Sequence, residues 1–122
     1  MARSYRDLFV WQRAKALAVE IYRSTEKFPK HEIYGITSQL RRAAVSVASN
    51  IAEGQGRLTV GEFQQFLGHA RGSLLEAETQ LEIALELGYV TTEECQRLQQ
   101  HSYEVLGLLN RLLESLRKKQ AH

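Results

Sequence analysis

Four histidines, one cysteine and several serines are the side chains of this 122-residue chain best suited to chemistry. A helical di-iron site needs a Glu-x-x-His pair on each of two helices plus two further carboxylates. The positions three before His31, His69, His101 and His122 therefore decide the matter. They hold Phe28, Phe66, Leu98 and Lys119, none of them acidic. Cys95 has no second cysteine with which to build a thiolate zinc site, and it reads as a small apolar side chain of the core. Ser46, Ser49 and Ser73 lie outside any Gly-x-Ser-x-Gly elbow, and Gly54-Gln55-Gly56 lacks the strand and the Lys-Ser/Thr of a phosphate loop. The expectation is a non-catalytic protein with no cofactor and no metal.

Polar residues remain. Glu32, Tyr34, Arg42, Asn50, Glu53, Arg71 and Glu76, with Arg57 nearby in sequence, fall in or beside a stretch of small side chains. Arg42, Asn50 and Glu53 are spaced by eight and three, so they point in similar directions along a helix. Two roles fit them. One is a hydrogen-bonded charge cluster that fixes helix register or a subunit contact, with Arg42–Glu53 or Arg71–Glu76 as pairs, because buried charges need partners. The other is a ligand or RNA site.

The cations are more numerous. Arg3, Arg6, Arg13, Lys15, Arg23, Lys27, Lys30, Arg41, Arg57, Arg117, Lys118 and Lys119 are the candidates for phosphate contact. Arg6, Arg13 and Lys27 lie at multiples of seven and share a helix face, where Tyr5 and Tyr22 are placed to stack on bases. Net charge is only +2, yet it is unevenly spread. Residues 1–30 carry seven Lys/Arg against three acids, and residues 60–90 one Arg against five Glu. Such asymmetry suits nucleic-acid contact and head-to-tail subunit association equally.

Four amphipathic helices must position these groups. Asp7 is placed to cap the first, over about 7–27, with overlapping stripes at Leu8, Trp11, Ala14, Ala18, Ile21, Tyr22 and at Val10, Ala14, Leu17, Ile21, ending at Phe28-Pro29. The second, over 36–54, has Ile36, Leu40, Ala43, Val47 and Ile51 on one face, and Gly54 and Gly56 are expected to stop it in the left-handed conformation. Thr59 and Glu62 form a capping box for the third, over 60–87, whose Phe63, Leu67, Ala70, Leu74, Ala77, Leu81 and Ala84 make a heptad-like seam closed by Gly88. Gly68 and Gly72 share one face inside it, which predicts close packing on the Ala/Ser face of the second helix. Thr91 and Glu94 open the fourth, over 91–118, with Cys95, Leu98, Val105, Leu109, Leu112 and Leu116 in line.

Short connections between four helices predict one all-α domain over 1–122, an antiparallel up-down four-helix bundle. The first and fourth helices are apolar beyond what one seam requires, which suggests self-association. A lone cysteine, no leader-like apolar run and no membrane-length segment point to a cytoplasmic protein without a membrane partner.

The run FPKHEIYGITSQLRRAAVSVASNIAEGQGR, followed by FLGHARGSLLEAETQLEIALELGY, resembles the bacterial four helix bundle protein family. That family includes proteins encoded in intervening sequences of 23S ribosomal RNA genes and is related to accessory variability proteins of diversity-generating retroelements. The resemblance spans about Asp7 to Leu116. The family has proline in its Ser-x-Pro-Ser-Asn pattern where this chain has Ala48, which puts the expected helix kink in question. The resemblance implies a ring-shaped homo-oligomer, commonly a pentamer. It also implies a nucleic-acid-associated accessory or scaffold that binds structured RNA, DNA or a reverse transcriptase. The alternative is a protein-interaction scaffold with no nucleic-acid role.

Overall fold

The apolar stripes become the inner faces of four helices. The computed structural model describes residues 4–120. Helix α1 spans Phe9–Thr25, α2 Ile36–Gln55, α3 Val60–Glu86 and α4 Thr92–Gln120, with single 3-10 turns at Tyr5–Asp7 and Lys30–Glu32. Neighbours in sequence pack together and α1 closes on α4, so the described residues form one four-helix bundle with no strand. Cross-helix contacts fix the directions. Arg13 of α1 meets Glu104 of α4, Glu20 meets Arg97, and Lys27, in the turn just past α1, meets Glu94. Numbers rising on one helix fall on the other, and this pair is antiparallel.

The core is built from Val10, Ala14, Leu17 and Ile21 of α1, Leu40, Ala43, Val47 and Ile51 of α2, Leu67, Leu74 and Leu81 of α3, and Leu98, Val105 and Leu109 of α4. Of the two stripes on α1 it is the Val10 one that faces inward. Trp11 is only partly buried and Tyr22 stays 44% exposed.

Several expectations need correction. Asp7 does not cap α1. It belongs to the Tyr5–Asp7 turn, whose cap is Ser4, accepting from the Arg6 amide at 3.2 Å. The chain leaves that turn through extended Leu8, so α1 begins at Phe9. It also ends before Phe28-Pro29, at Thr25.

Neither Gly54 nor Gly56 is left-handed: among the described residues only Gly88 has positive φ, at 76°. The last turn of α2 instead tightens, with the Gly56 amide on the Glu53 carbonyl and the Arg57 amide on Gly54. Gly54 serves packing. A Cβ there would stand 2.8 Å from a Phe63 ring carbon and 2.9 Å from Phe66 Cβ, so its absence lets α3 close on α2. Gly68 and Gly72 do not perform that task. Both are exposed with nothing within 4 Å of a Cβ. The seam residues Leu67, Ala70 and Leu74 face α2, and the two glycines sit further round the helix.

Other signals hold. Thr59 accepts from the Glu62 amide at 3.1 Å, and Thr91 from the Glu94 amide at the same distance. Gly88 closes α3 in a Schellman motif: the Tyr89 amide bonds the Ala84 carbonyl and the Gly88 amide bonds Leu85. Helix α2 runs unbroken through Ala48, which keeps the amide that a proline would remove.

Candidate functional site

The cations of α1 and of the turn that follows it divide between two sides. On the α4 side each has an acidic partner: Arg13 Nε lies 2.5 Å from Glu104, and Lys27 Nζ 3.2 Å from Glu94. These two are structural, so the face shared by Arg6, Arg13 and Lys27 is not a free phosphate surface. The reason is sequence-distant: α4 brings a carboxylate opposite each.

On the α2 side the picture reverses. A groove of about 570 Å³ runs between α1 and α2, walled by Tyr5, Trp11 and Tyr22, floored by Ala18, Val19, Val45, Ala48 and Ala52, and rimmed by Lys15 and Arg23. None of its lining residues is acidic. The aromatics are set by packing. Tyr5 meets Trp11 edge-on at 4.9 Å, the Lys15 ammonium stands 5.1 Å from the Trp11 ring centre, and the Arg6 guanidinium 4.8 Å from that of Tyr5. Arg41 lies 4.7 Å over Tyr22, with Nε on the Thr25 hydroxyl at 2.8 Å. Ala48 and Ala52 matter through smallness, because larger side chains there would fill the groove.

The other predicted cations are scattered. Arg57 covers the Phe66 ring at 4.4 Å. Arg117 bonds Glu114 at 2.7 Å, and that contact holds the Glu114 carboxyl below its usual range. Lys118 and Lys119 are exposed at the end of α4, far along the chain from the groove. Arg3, like His122, lies outside the described residues.

The polar set does not converge. Neither Arg42–Glu53 nor Arg71–Glu76 pairs among the described residues. Arg42 and Glu53 are both exposed, and eleven positions of helix carry them far apart. Arg71 bonds Asn110 on α4 at 3.2 Å instead. Arg42 and Glu76 do line one polar groove of about 360 Å³ with Gln39, Ser46 and Ser73. Asn50 donates to Ser46, and Ser73 Oγ donates to Ser46 Oγ at 3.0 Å, so this arm ties α2 to α3. Tyr34 is 94% exposed. Glu32 acts at another end: it accepts from the Ile36 amide at 3.4 Å and from the Tyr89 hydroxyl at 2.9 Å, which raises the Tyr89 pKa.

One cluster escaped the sequence. Buried His101 joins Glu20 through Nδ1 and the Arg13 carbonyl through Nε2 at 3.1 Å, while Arg97 reaches the same Glu20 at 2.5 Å. Ser102, also buried, donates to Glu78 at 2.5 Å. Leu98 and Val105 lie seven apart, so positions 101 and 102 between them must face inward, and that spacing was the available signal. Cys95 is buried beneath Leu81, and desolvation, then Glu82, raises its thiol pKa. Among the described residues no helix is long and apolar enough to cross a membrane.

The chain has clear relatives. A crystal structure of a protein of unknown function from the S23 ribosomal protein family of Bacteroides thetaiotaomicron superposes with a TM-score of 0.77 at 23% identity, over 85% of this chain and 97% of that one. At that identity the likeness shows the fold. No curated protein matches. The profile of the family described as 23S rRNA-intervening sequence protein matches residues 6–111, nearly the whole described bundle. This chain therefore belongs to the 23S rRNA-intervening sequence protein family.

Proposed function

We propose that the protein is a non-catalytic nucleic-acid-binding accessory, acting as a homo-oligomer, whose contact surface is the α1–α2 groove. The observation that carries this is the sorting of cations along α1 and the turn after it. Those facing α4 are neutralised, whereas Lys15 and Arg23 rim a groove that has three aromatic rings and no acid. Cations that track a phosphate backbone beside rings that stack on bases are the pattern of sequence-tolerant nucleic-acid binding. Assembly into a ring, such as the pentamer implied by the family resemblance, would repeat a modest site around the particle and multiply its avidity. Structured RNA is the first ligand to test, and a reverse transcriptase is the protein partner that the retroelement resemblance suggests.

The test is a titration of labelled structured RNA and duplex DNA across a salt series. Lys15→Glu with Arg23→Glu is expected to weaken binding and to flatten the log–log salt slope by about one unit for each phosphate no longer neutralised. Arg13→Glu, which breaks the surface pair with Glu104 on the α4 side, is expected to leave binding nearly unchanged. Absence of binding at low salt with an intact assembly overturns the proposal.

A second use of the same groove is supported by α3. Its outer face shows Gly68, Gly72, Leu75 (39% exposed) and Ile83 (45%), beside Glu82 and Glu86. An apolar ridge edged with acids complements an apolar groove edged with cations, so copies could dock head to tail. In that case the Lys15→Glu, Arg23→Glu protein loses assembly mass before it loses RNA.

A further inference from the structure

Next to the α1–α2 groove lies a second hollow of about 320 Å³, between the end of α1, the loop through Pro29 and the start of α2. Its apolar side is Phe28, Pro29 and Ile33; its charged rim is Glu26, Lys30 and Arg41. Arg41 is fixed in place before any ligand arrives. Its Nε donates to Thr25 Oγ1 at 2.8 Å, its Nη2 reaches the Tyr22 carbonyl at 3.4 Å, and its guanidinium covers the Tyr22 ring. Thr25 is itself buried and anchored to the Ile21 carbonyl at 2.8 Å. Neither Arg41 nor Lys30 has an acidic partner among the described residues. The Arg41–Tyr22 stack is also the wall between the hollow and the groove, because Tyr22 lines the one and Arg41 the other.

We infer that this hollow seats one unpaired nucleotide, its phosphate on Arg41 and Lys30 and its base against Ile33 and Pro29, with the Glu26 carboxylate accepting from a base N–H. An oriented guanidinium and an ammonium meet a phosphate by charge and by hydrogen bond. A flat apolar wall takes a base face, and the volume lies in the range of small-ligand pockets, roughly 300–1,000 Å³. A base inside a duplex is stacked and paired and cannot enter. The nucleotide is thus a strand end or bulge, or a free mononucleotide. The strand form rests on the nucleic-acid function proposed above; the free form does not.

Three labelled RNAs separate these cases: a blunt duplex, the same duplex with a short 3′ single-stranded overhang, and a single strand, with adenosine monophosphate followed by amide chemical shifts. The overhang is expected to bind at least about tenfold tighter than the blunt duplex, the worth of one seated base. Arg41→Ala and Ile33→Glu, each checked for an unchanged melting curve, should abolish that advantage, and Ile33→Glu, which lies outside the groove lining, should leave the blunt duplex as before. Ile33 is 47% exposed, so its change tests the wall without touching the core. Blunt and overhang duplexes bound equally, both weakened by Lys15→Glu with Arg23→Glu, would overturn the hollow and keep the groove. Shifts from adenosine monophosphate at Ile33 and Arg41 without RNA binding would keep the hollow and overturn the nucleic-acid function. No response to any probe overturns both.

Discussion

Gly54 and Gly68 are chemically identical and structurally opposite. A Cβ at position 54 would press on the rings that close α3 against α2, whereas one at 68 meets open space. Gly54→Ala is therefore expected to destabilise the protein by about 1–3 kcal/mol, as overpacking does. Gly68→Ala should stabilise the protomer by up to about 1 kcal/mol through helix propensity. Thermal melts at low protein concentration check the pair, and a destabilised Gly68→Ala protomer would contradict the open surface. Sequence spacing told that Gly68 and Gly72 share a face, but not which face. The seam already occupied by Leu67, Ala70 and Leu74 held the answer, since a helix cannot turn two faces to one neighbour.

At the scale of elements, α1 and the turn after it are joined to α4 by a ladder of ion pairs: Arg13–Glu104, Glu20–Arg97 and His101, Lys27–Glu94. The exposed rungs each contribute about 0–1 kcal/mol. The middle rung differs because His101 is buried and both ring nitrogens are engaged. Glu20→Ala removes the acceptor shared by His101 and Arg97, and the expected cost is about 1–3 kcal/mol, read as a shift in the urea midpoint. A variant as stable as the parent would show that the buried imidazole needs no carboxylate. This ladder is what the sequence concealed. The two threonine caps and the inward stripes follow from local pattern. Pairing Arg13 on α1 with a carboxylate 91 residues later requires the relative height of two helices, and single-helix periodicity carries no such information. Hence Arg13 and Lys27 looked like ligands for phosphate, and Lys15 and Arg23 could not be told apart from them.

Across the whole molecule the contact between α2 and α3 is the most extensive, and it is made from small side chains, Ala43, Ala44, Val47 and Ala70 among them, pinched at Gly54. The two helices are joined by the short link at 56–59, with Thr59 capping the second. The same closeness has a kinetic meaning. Contacts formed over short loops cost little chain entropy, so this hairpin is the unit able to assemble first, with α1 and α4 closing over it. Native-state hydrogen exchange should then show the slowest amides around Val47, Ile51, Leu67 and Ala70, opening only with global unfolding, and faster sub-global opening of α1. Equal protection in α1 and α2 would contradict that order. If the order holds, α1 can loosen while the rest of the bundle stands. One wall of the groove then rides on the more readily released helix, and a ligand bound there would register as slowed exchange along α1.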